Sequence, residues 1–178
     1  MHNVENYMTA IGLTYGFVDV EDYASVASEF CGVEHRLELV RTIDGVDFYN
    51  SSIDSSPTRT AAALSALGGR DTVIICGGYD KNLSYAPLAD SLCKSARAVV
   101  LTGATAEKIK AALDACPDYD PEKLSVIMAD SFENAVSTAA SLGRAGGCVV
   151  LSPASASFDR FKNFMERGRY FKELVLKL

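Results

Sequence analysis

Four short apolar runs limit the fold more than any other feature of this chain. They are "TVIICGG" (72–78), "AVVLTGA" (98–104), "LSVIMAD" (124–130) and "CVVLSPA" (148–154). Each is rich in β-branched residues and lacks polar alternation, as expected of strands covered on both faces. They recur roughly every 25 residues, the length of one strand, one helix and two loops. Helical stretches fill the gaps. "SPTRTAAALSALGG" precedes the first run; "YAPLADSLCKSA", "TAEKIKAALDAC" and "SFENAVSTAASLGRAGG" follow in turn. Strands alternating with helices predict a doubly wound α/β fold with a mainly parallel sheet.

The first part of the chain reads differently. Val4, Met8, Ile11 and Tyr15 share one face at helical spacing, and Gly16 suits the helix stop. Asp19 can cap a second helix running to about Phe30, which "CGVEH" ends. Then "RLELVRTIDGVDFYNSS" alternates on both sides of Asp44-Gly45, the pattern of a two-residue β-hairpin. The change of character between Gly32 and His35 predicts two domains, residues 1–34 and 35–178.

Composition excludes several classes of function. With 48% of its 178 residues apolar, the chain can bury a sizeable core. A net charge of −6 argues against nucleic acid or an anionic membrane as partner. No apolar run approaches the roughly 20 residues needed to cross a bilayer, and the polar opening "MHNVENYMTA" lacks a signal-peptide core. Cys31, Cys76, Cys93, Cys116 and Cys148 include no C-x-x-C pair, and His2 and His35 are the only histidines. Reduced thiols in a cytoplasmic protein are expected, with no zinc site. These residues contain neither G-x-x-x-x-G-K-[ST] nor G-x-G-x-x-G, so nothing here is built to hold a triphosphate with magnesium.

In an open α/β sheet, ligands bind beyond the carboxyl ends of the strands. That rule selects "YNSSIDSSP", "CGGYDKN", "LTGAT" and "LSPASAS". The first offers hydroxyls at Ser51, Ser52, Ser55 and Ser56, with Pro57 suited to a first helical turn. In the second, Gly77-Gly78 permits close approach and Lys81 supplies a positive charge. In the fourth, the small residues Ser152 to Ser157 precede a helix expected to start near Phe158. Phe158, Phe161, Phe164 and Met165 would form its apolar side, with Asp159, Arg160, Lys162, Glu166 and Arg167 facing water. Taken alone, these loops suit either helix caps or a small-anion site.

Four motifs, in order, resemble the Mur ligase family of bacterial cell-wall synthesis, specifically its D-glutamate-adding branch. "HNVEN" is similar to the helix closing that family's central, ATP-binding domain. "GVEHRLELV" with "GVDFYNSSIDSSPTRT" resembles the start of its C-terminal domain. "CGGYDKN" is similar to its Gly-Gly-x-Asp-Lys loop, and "SPASASFDRFKNFMERG" resembles its last, most specific motif. The resemblance spans the whole chain and implies a Rossmann-like C-terminal domain, residues 35–178, preceded by the helical end of the ATP-binding domain, residues 1–34. It also implies that the chain is a piece of an enzyme, with Met1 a truncated start.

What the resemblance implies for function is specific. The whole enzyme would use ATP and Mg2+ to join D-glutamate to UDP-N-acetylmuramoyl-L-alanine through an acyl phosphate. The N-terminal and central domains would carry the P-loop, the metal ligands and the UDP site, so this piece alone would be inactive and bind no cofactor. Lys81 and Ser55 would meet one D-glutamate carboxylate, Ser157 and the backbone N–H of Phe158 the other, and Phe164 would line the pocket. Asn3 and Asn6 would lie near adenine, and Arg36 near the nucleotide phosphates or ribose. Many relatives have Asp at position 51, Lys at 53 and a small residue at 54. Ser51, Ile53 and Asp54 depart from that pattern, so the resemblance carries no nucleotide contact over to this loop. The alternatives are another Mur or folylpolyglutamate-type ligase domain, or a non-catalytic α/β module that binds a small anion.

Overall fold

The computed structural model describes residues 2–30 and 32–178, with side chains from Val4 onward. Contacts divide the chain into two units, Met1–Val33 and Glu34–Leu178. The first contains α1 (His2–Thr14) and α2 (Val20–Glu29). Gly16, at φ +86°, lets the chain turn after α1, and Asp19 stands at the N-cap of α2. Thr14 Oγ1 donates to Tyr23 Oη over 3.1 Å, and the Tyr7 and Phe30 rings meet edge to face at 6.1 Å. No residue of α2 is buried.

The second unit begins with the hairpin of β1 (Glu38–Ile43) and β2 (Val46–Asn50). Ile43 pairs with Val46 across Asp44 and Gly45, whose φ values of 48° and 78° are those a two-residue primed turn needs. There follow α3 (Pro57–Ala66), β3 (Thr72–Cys76), α4 (Ala86–Ser95), β4 (Ala98–Leu101), α5 (Ala106–Asp114), β5 (Ser125–Met128), α6 (Phe132–Leu142), β6 (Cys148–Leu151) and α7 (Phe164–Val175). The sheet order is β1-β2-β6-β3-β4-β5, antiparallel only between β1 and β2.

Strand pleating explains the unbroken apolar runs. Ile74, Cys76, Val99, Leu101 and Val150 point to one face, under Leu64 of α3, Leu88 and Leu92 of α4, and Ile109 and Leu113 of α5. Val73, Ile75, Val100, Val149 and Leu151 point to the other, under Phe132 and Val136 of α6 and Phe171 and Val175 of α7. With both faces covered, no polar alternation survives in the central strands.

The last helix departs from expectation. It starts at Phe164, not near Phe158. Asn163 is the reason: its side chain accepts from Glu166 N (2.9 Å), while the Glu166 carboxylate accepts from Lys162 N (2.7 Å). Residues 152–163 instead run as turns, and Ser157 O accepts from Arg160 N and Phe161 N. The apolar side is split accordingly. Phe161 packs on Phe132 at 5.3 Å, but Phe158 and Met165 are 65% and 40% exposed. Arg167, expected in water, is only 2% exposed.

Candidate functional site

β3 and β6 lie side by side, yet the chain leaves β3 for α4 on one face and β6 for α7 on the other. Such a divergence opens a crevice at the carboxyl ends of the strands. The two loops are laced across it. Gly77 N donates to Pro153 O (2.8 Å) and Tyr79 N to Ala156 O (2.9 Å). Only glycine fits here: a Cβ on Gly77 would lie 1.8 Å from Thr102 O, and one on Gly78 would lie 2.3 Å from Ala156 O.

Most of the serines in these loops bond to the protein itself. Ser152 Oγ donates to Asp54 (2.8 Å) and lies 2.9 Å from Thr60 Oγ1. Ser155 Oγ lies 2.8 Å from both Tyr85 Oη and Thr105 Oγ1, and Thr105 Oγ1 accepts from Gly78 N (3.1 Å). Ser51 Oγ accepts from Leu37 N, and Ser52 Oγ donates to Phe164 O. Arg167 joins two loops from beneath. Its Nε and Nη2 donate to Ser52 Oγ and Ser52 O (3.0 and 2.9 Å), and its Nη1 to Ser155 O and Ala156 O (3.1 and 3.0 Å). Burial draws this guanidinium down to about 10, opposed by Asp159 and Asp54, so it remains a cation at neutral pH.

Set against those internal bonds, several side chains lack a partner among the described residues, the buried Thr102 hydroxyl being one. The side chains of Ser55, Lys81 and Ser157 have no hydrogen-bond or ion-pair partner among the described residues. Ser157 is buried, Ser55 half-buried and Lys81 exposed. They belong to three loops that the crevice collects at one end of the sheet. Phe158 is exposed and meets Tyr79 edge to face at 5.9 Å. Phe164 is half-buried, with its ring 5.9 Å from that of His35. Arg36 is exposed, and its charge favours an ionised Asp54. Asn6 is exposed on α1, and the Asn3 side chain lies outside the described residues, as does Cys31.

Charge and pKa follow from these surroundings. Burial raises the pKa of Asp54, outweighing hydrogen bonds from Ser51 and Ser152 and the charges of Arg59 and Arg36. Burial lowers that of His35, opposed by Glu34 and Glu38. The Asn50 amide nitrogen donates to His35 Nδ1 (2.8 Å) and Glu38 (3.0 Å), which leaves the ring proton on Nε2, 3.6 Å from Glu34. Glu34, His35 and Glu38 are the one group among the described residues with metal-ligand proximity. It does not suit a divalent cation, because the Lys172 ammonium already lies 2.8 Å from both carboxylates. A cleft of about 430 Å³ beyond β4 and β5 is lined by Glu107, Asp130, Asp159 and Arg160. Three carboxylates against one guanidinium would repel a dicarboxylate.

Sequence reasoning missed Arg167 and Asp54 as members of this network. The signal for Arg167 was the small-residue stretch itself, whose carbonyls need donors once buried.

The family model described as "Mur ligase, glutamate ligase domain" matches residues 35–155, and the chain belongs to that family. Among its relatives is the UDP-N-acetylmuramoylalanine–D-glutamate ligase of Clostridium beijerinckii, 49% identical over 178 residues that span all of this chain and 39% of that protein. The protein of the same name from Acetivibrio thermocellus is 45% identical over 177 residues, 98% of this chain and 38% of that protein. The chain thus spans about two fifths of the length of these relatives. Among solved structures, a Mycobacterium tuberculosis folylpolyglutamate synthase complexed with ADP aligns with TM-score 0.62 at 15% identity, covering 88% of this chain and 35% of that one. A murein peptide ligase from Psychrobacter arcticus aligns with TM-score 0.58 at 19% identity, covering 100% and 36%. At such identities the structures speak for the shared fold alone.

Proposed function

We propose that this chain is the amino-acid-binding part of a ligase that adds D-glutamate to UDP-N-acetylmuramoyl-L-alanine in cytoplasmic peptidoglycan synthesis. The reading rests on one observation: Ser55, Lys81 and Ser157, on the loops that leave β2, β3 and β6, have side chains without a partner among the described residues, while the other serines of these loops are bonded internally. It gains support from relatives 45% and 49% identical that bear the D-glutamate ligase name.

In this reading the Lys81 ammonium and the Ser55 hydroxyl hold one carboxylate of D-glutamate. Ser157 and the Phe158 N–H hold the other, and Phe164 borders the aliphatic chain. The residues here orient the amine; they transfer no proton to it and form no bond with it. ATP and Mg2+ belong to the whole enzyme. Residues 1–34 are the helical end of its ATP-binding domain. The chain alone turns over no ATP, and its D-glutamate site is completed when the domains close.

Calorimetric titration with D-glutamate, L-glutamate and ADP tests this. Weak binding of the D enantiomer, lost at least tenfold in Lys81→Ala, is expected. Equal binding of both enantiomers, unaffected by Lys81→Ala, would leave only a generic anion-binding module.

A further inference from the structure

We propose that Cys93 and Cys116 form a reversible dithiol–disulfide site, oxidised by low-molecular-weight disulfides, that ties α4 to the end of α5. Cys93 lies in the last turn of α4, and Cys116 follows the C-cap residue of α5. Their sulfurs are 3.9 Å apart, and Cys116 Sγ is 3.3 Å from Asp90 Oδ1. A disulfide needs about 2.05 Å, so the sulfurs must approach by about 1.9 Å, within the range of side-chain rotation. Both residues are half-buried and so reachable by a reagent. Cys76 and Cys148, by contrast, are buried within strands, and burial pushes both thiols up.

Geometry also gives the order of events. Cys93 donates its S–H to Cys116 Sγ, and burial and that bond push Cys93 up to about 11, so Cys116 is the sulfur that attacks first. Cys116 loses its proton to solvent and its thiolate attacks the reagent disulfide. One S–S bond forms, one breaks, and the first reagent thiolate leaves. The Cys93 sulfur then attacks Cys116 in the mixed disulfide, and its proton departs with the second reagent thiol. Two cysteine thiols are oxidised and one reagent disulfide is reduced to two thiols. The cross-link spans 23 positions of sequence. It joins the two helices that descend from the Lys81 loop and from the loop after β4, and so stiffens one wall of the crevice from its far end.

The test uses the chain itself with excess oxidised glutathione. Intact mass should fall by two hydrogens, and proteolysis should recover one peptide joining Cys93 to Cys116. Dithiothreitol should reverse both changes. The oxidised form should melt roughly 5 °C or more above the reduced one. Cys93→Ser should stop at a stable glutathione adduct on Cys116. Wild-type protein that accumulates glutathione adducts without the cross-link, or that pairs either cysteine with Cys31, would overturn the proposal.

Discussion

Arg167→Ala is the most searching perturbation of this domain. The side chain makes four hydrogen bonds at 2.9–3.1 Å and is 2% exposed. Truncation removes a donor from three buried carbonyls; those of Ser52 and Ser155 lose the one they have, while Ala156 O keeps Tyr79 N. Each buried acceptor left without a partner costs about 1–3 kcal/mol. Two such acceptors and the cavity left by a large buried side chain, less relaxation and entry of water, make about 3–5 kcal/mol. A unit of this size is stable by about 7–20 kcal/mol, so most of it still folds. Urea denaturation gives the answer. With a slope near 2 kcal/mol/M, the midpoint should fall by roughly 2 M at unchanged slope. Arg167→Lys keeps the charge but not the planar fork, and should lose about half as much. If alanine shifts the midpoint by less than about 0.5 M, or lysine is as damaging as alanine, the two serine loops are not held together by this residue.

Further expectations are narrower. Gly77→Ala should cost about 3 kcal/mol or more, since its Cβ would overlap Thr102 O at a φ of +115°; a mutant with a wild-type urea midpoint would refute the packing. Asp54→Asn should stabilise the chain increasingly as pH rises. The folded carboxyl has a raised pKa, so its favourable contribution is complete below the ordinary value of 3.8 and is lost as pH climbs through the folded one. Urea midpoints of both proteins, taken in acid and at neutrality, should diverge toward neutrality; a constant difference would deny the shift.

The layered fold was legible because burial on both faces leaves its mark residue by residue. Val73 to Cys76 and Val99 to Leu101 are apolar at every position since each one meets a helix. The hairpin was legible for a different reason: Asp44 and Gly45 tolerate positive φ, and the flanking runs alternate. The start of the last helix was not. Phe158, Phe161, Phe164 and Met165 fit helical spacing, but Asn163 and Glu166 form a cap that periodicity does not register. Nor was the burial of Arg167, because an arginine beside Glu166 reads as solvated unless one asks what satisfies the carbonyls of a buried turn.

That last point bears on how a serine-rich motif should be read. Six small residues between a strand and a helix suggest a pocket lined by hydroxyls, each free for a ligand. Here Ser152 and Ser155 serve the scaffold instead, bridging to Asp54, Thr60, Tyr85 and Thr105. Their small volume lets two loops approach closely enough for Tyr79 N to reach Ala156 O and for a guanidinium to fit beneath. Order within the loops is what makes an unpaired group informative. A free hydroxyl in a mobile loop bonds to water and signifies nothing. Ser157 is buried, its carbonyl is fixed by two backbone donors, and its hydroxyl has no partner among the described residues. A serine whose backbone is fixed in that way has already lost part of its conformational freedom before any ligand arrives, which lowers the entropic cost of binding. Ser157→Ala should therefore weaken D-glutamate binding while leaving the stability read from urea denaturation within about 0.5 kcal/mol of wild type. Ser155→Ala should do the reverse, costing about 1–2 kcal/mol of stability through Tyr85 and Thr105 and affecting affinity only through that loss. If both substitutions act alike in calorimetry and in urea, the division between scaffold and ligand serines is wrong.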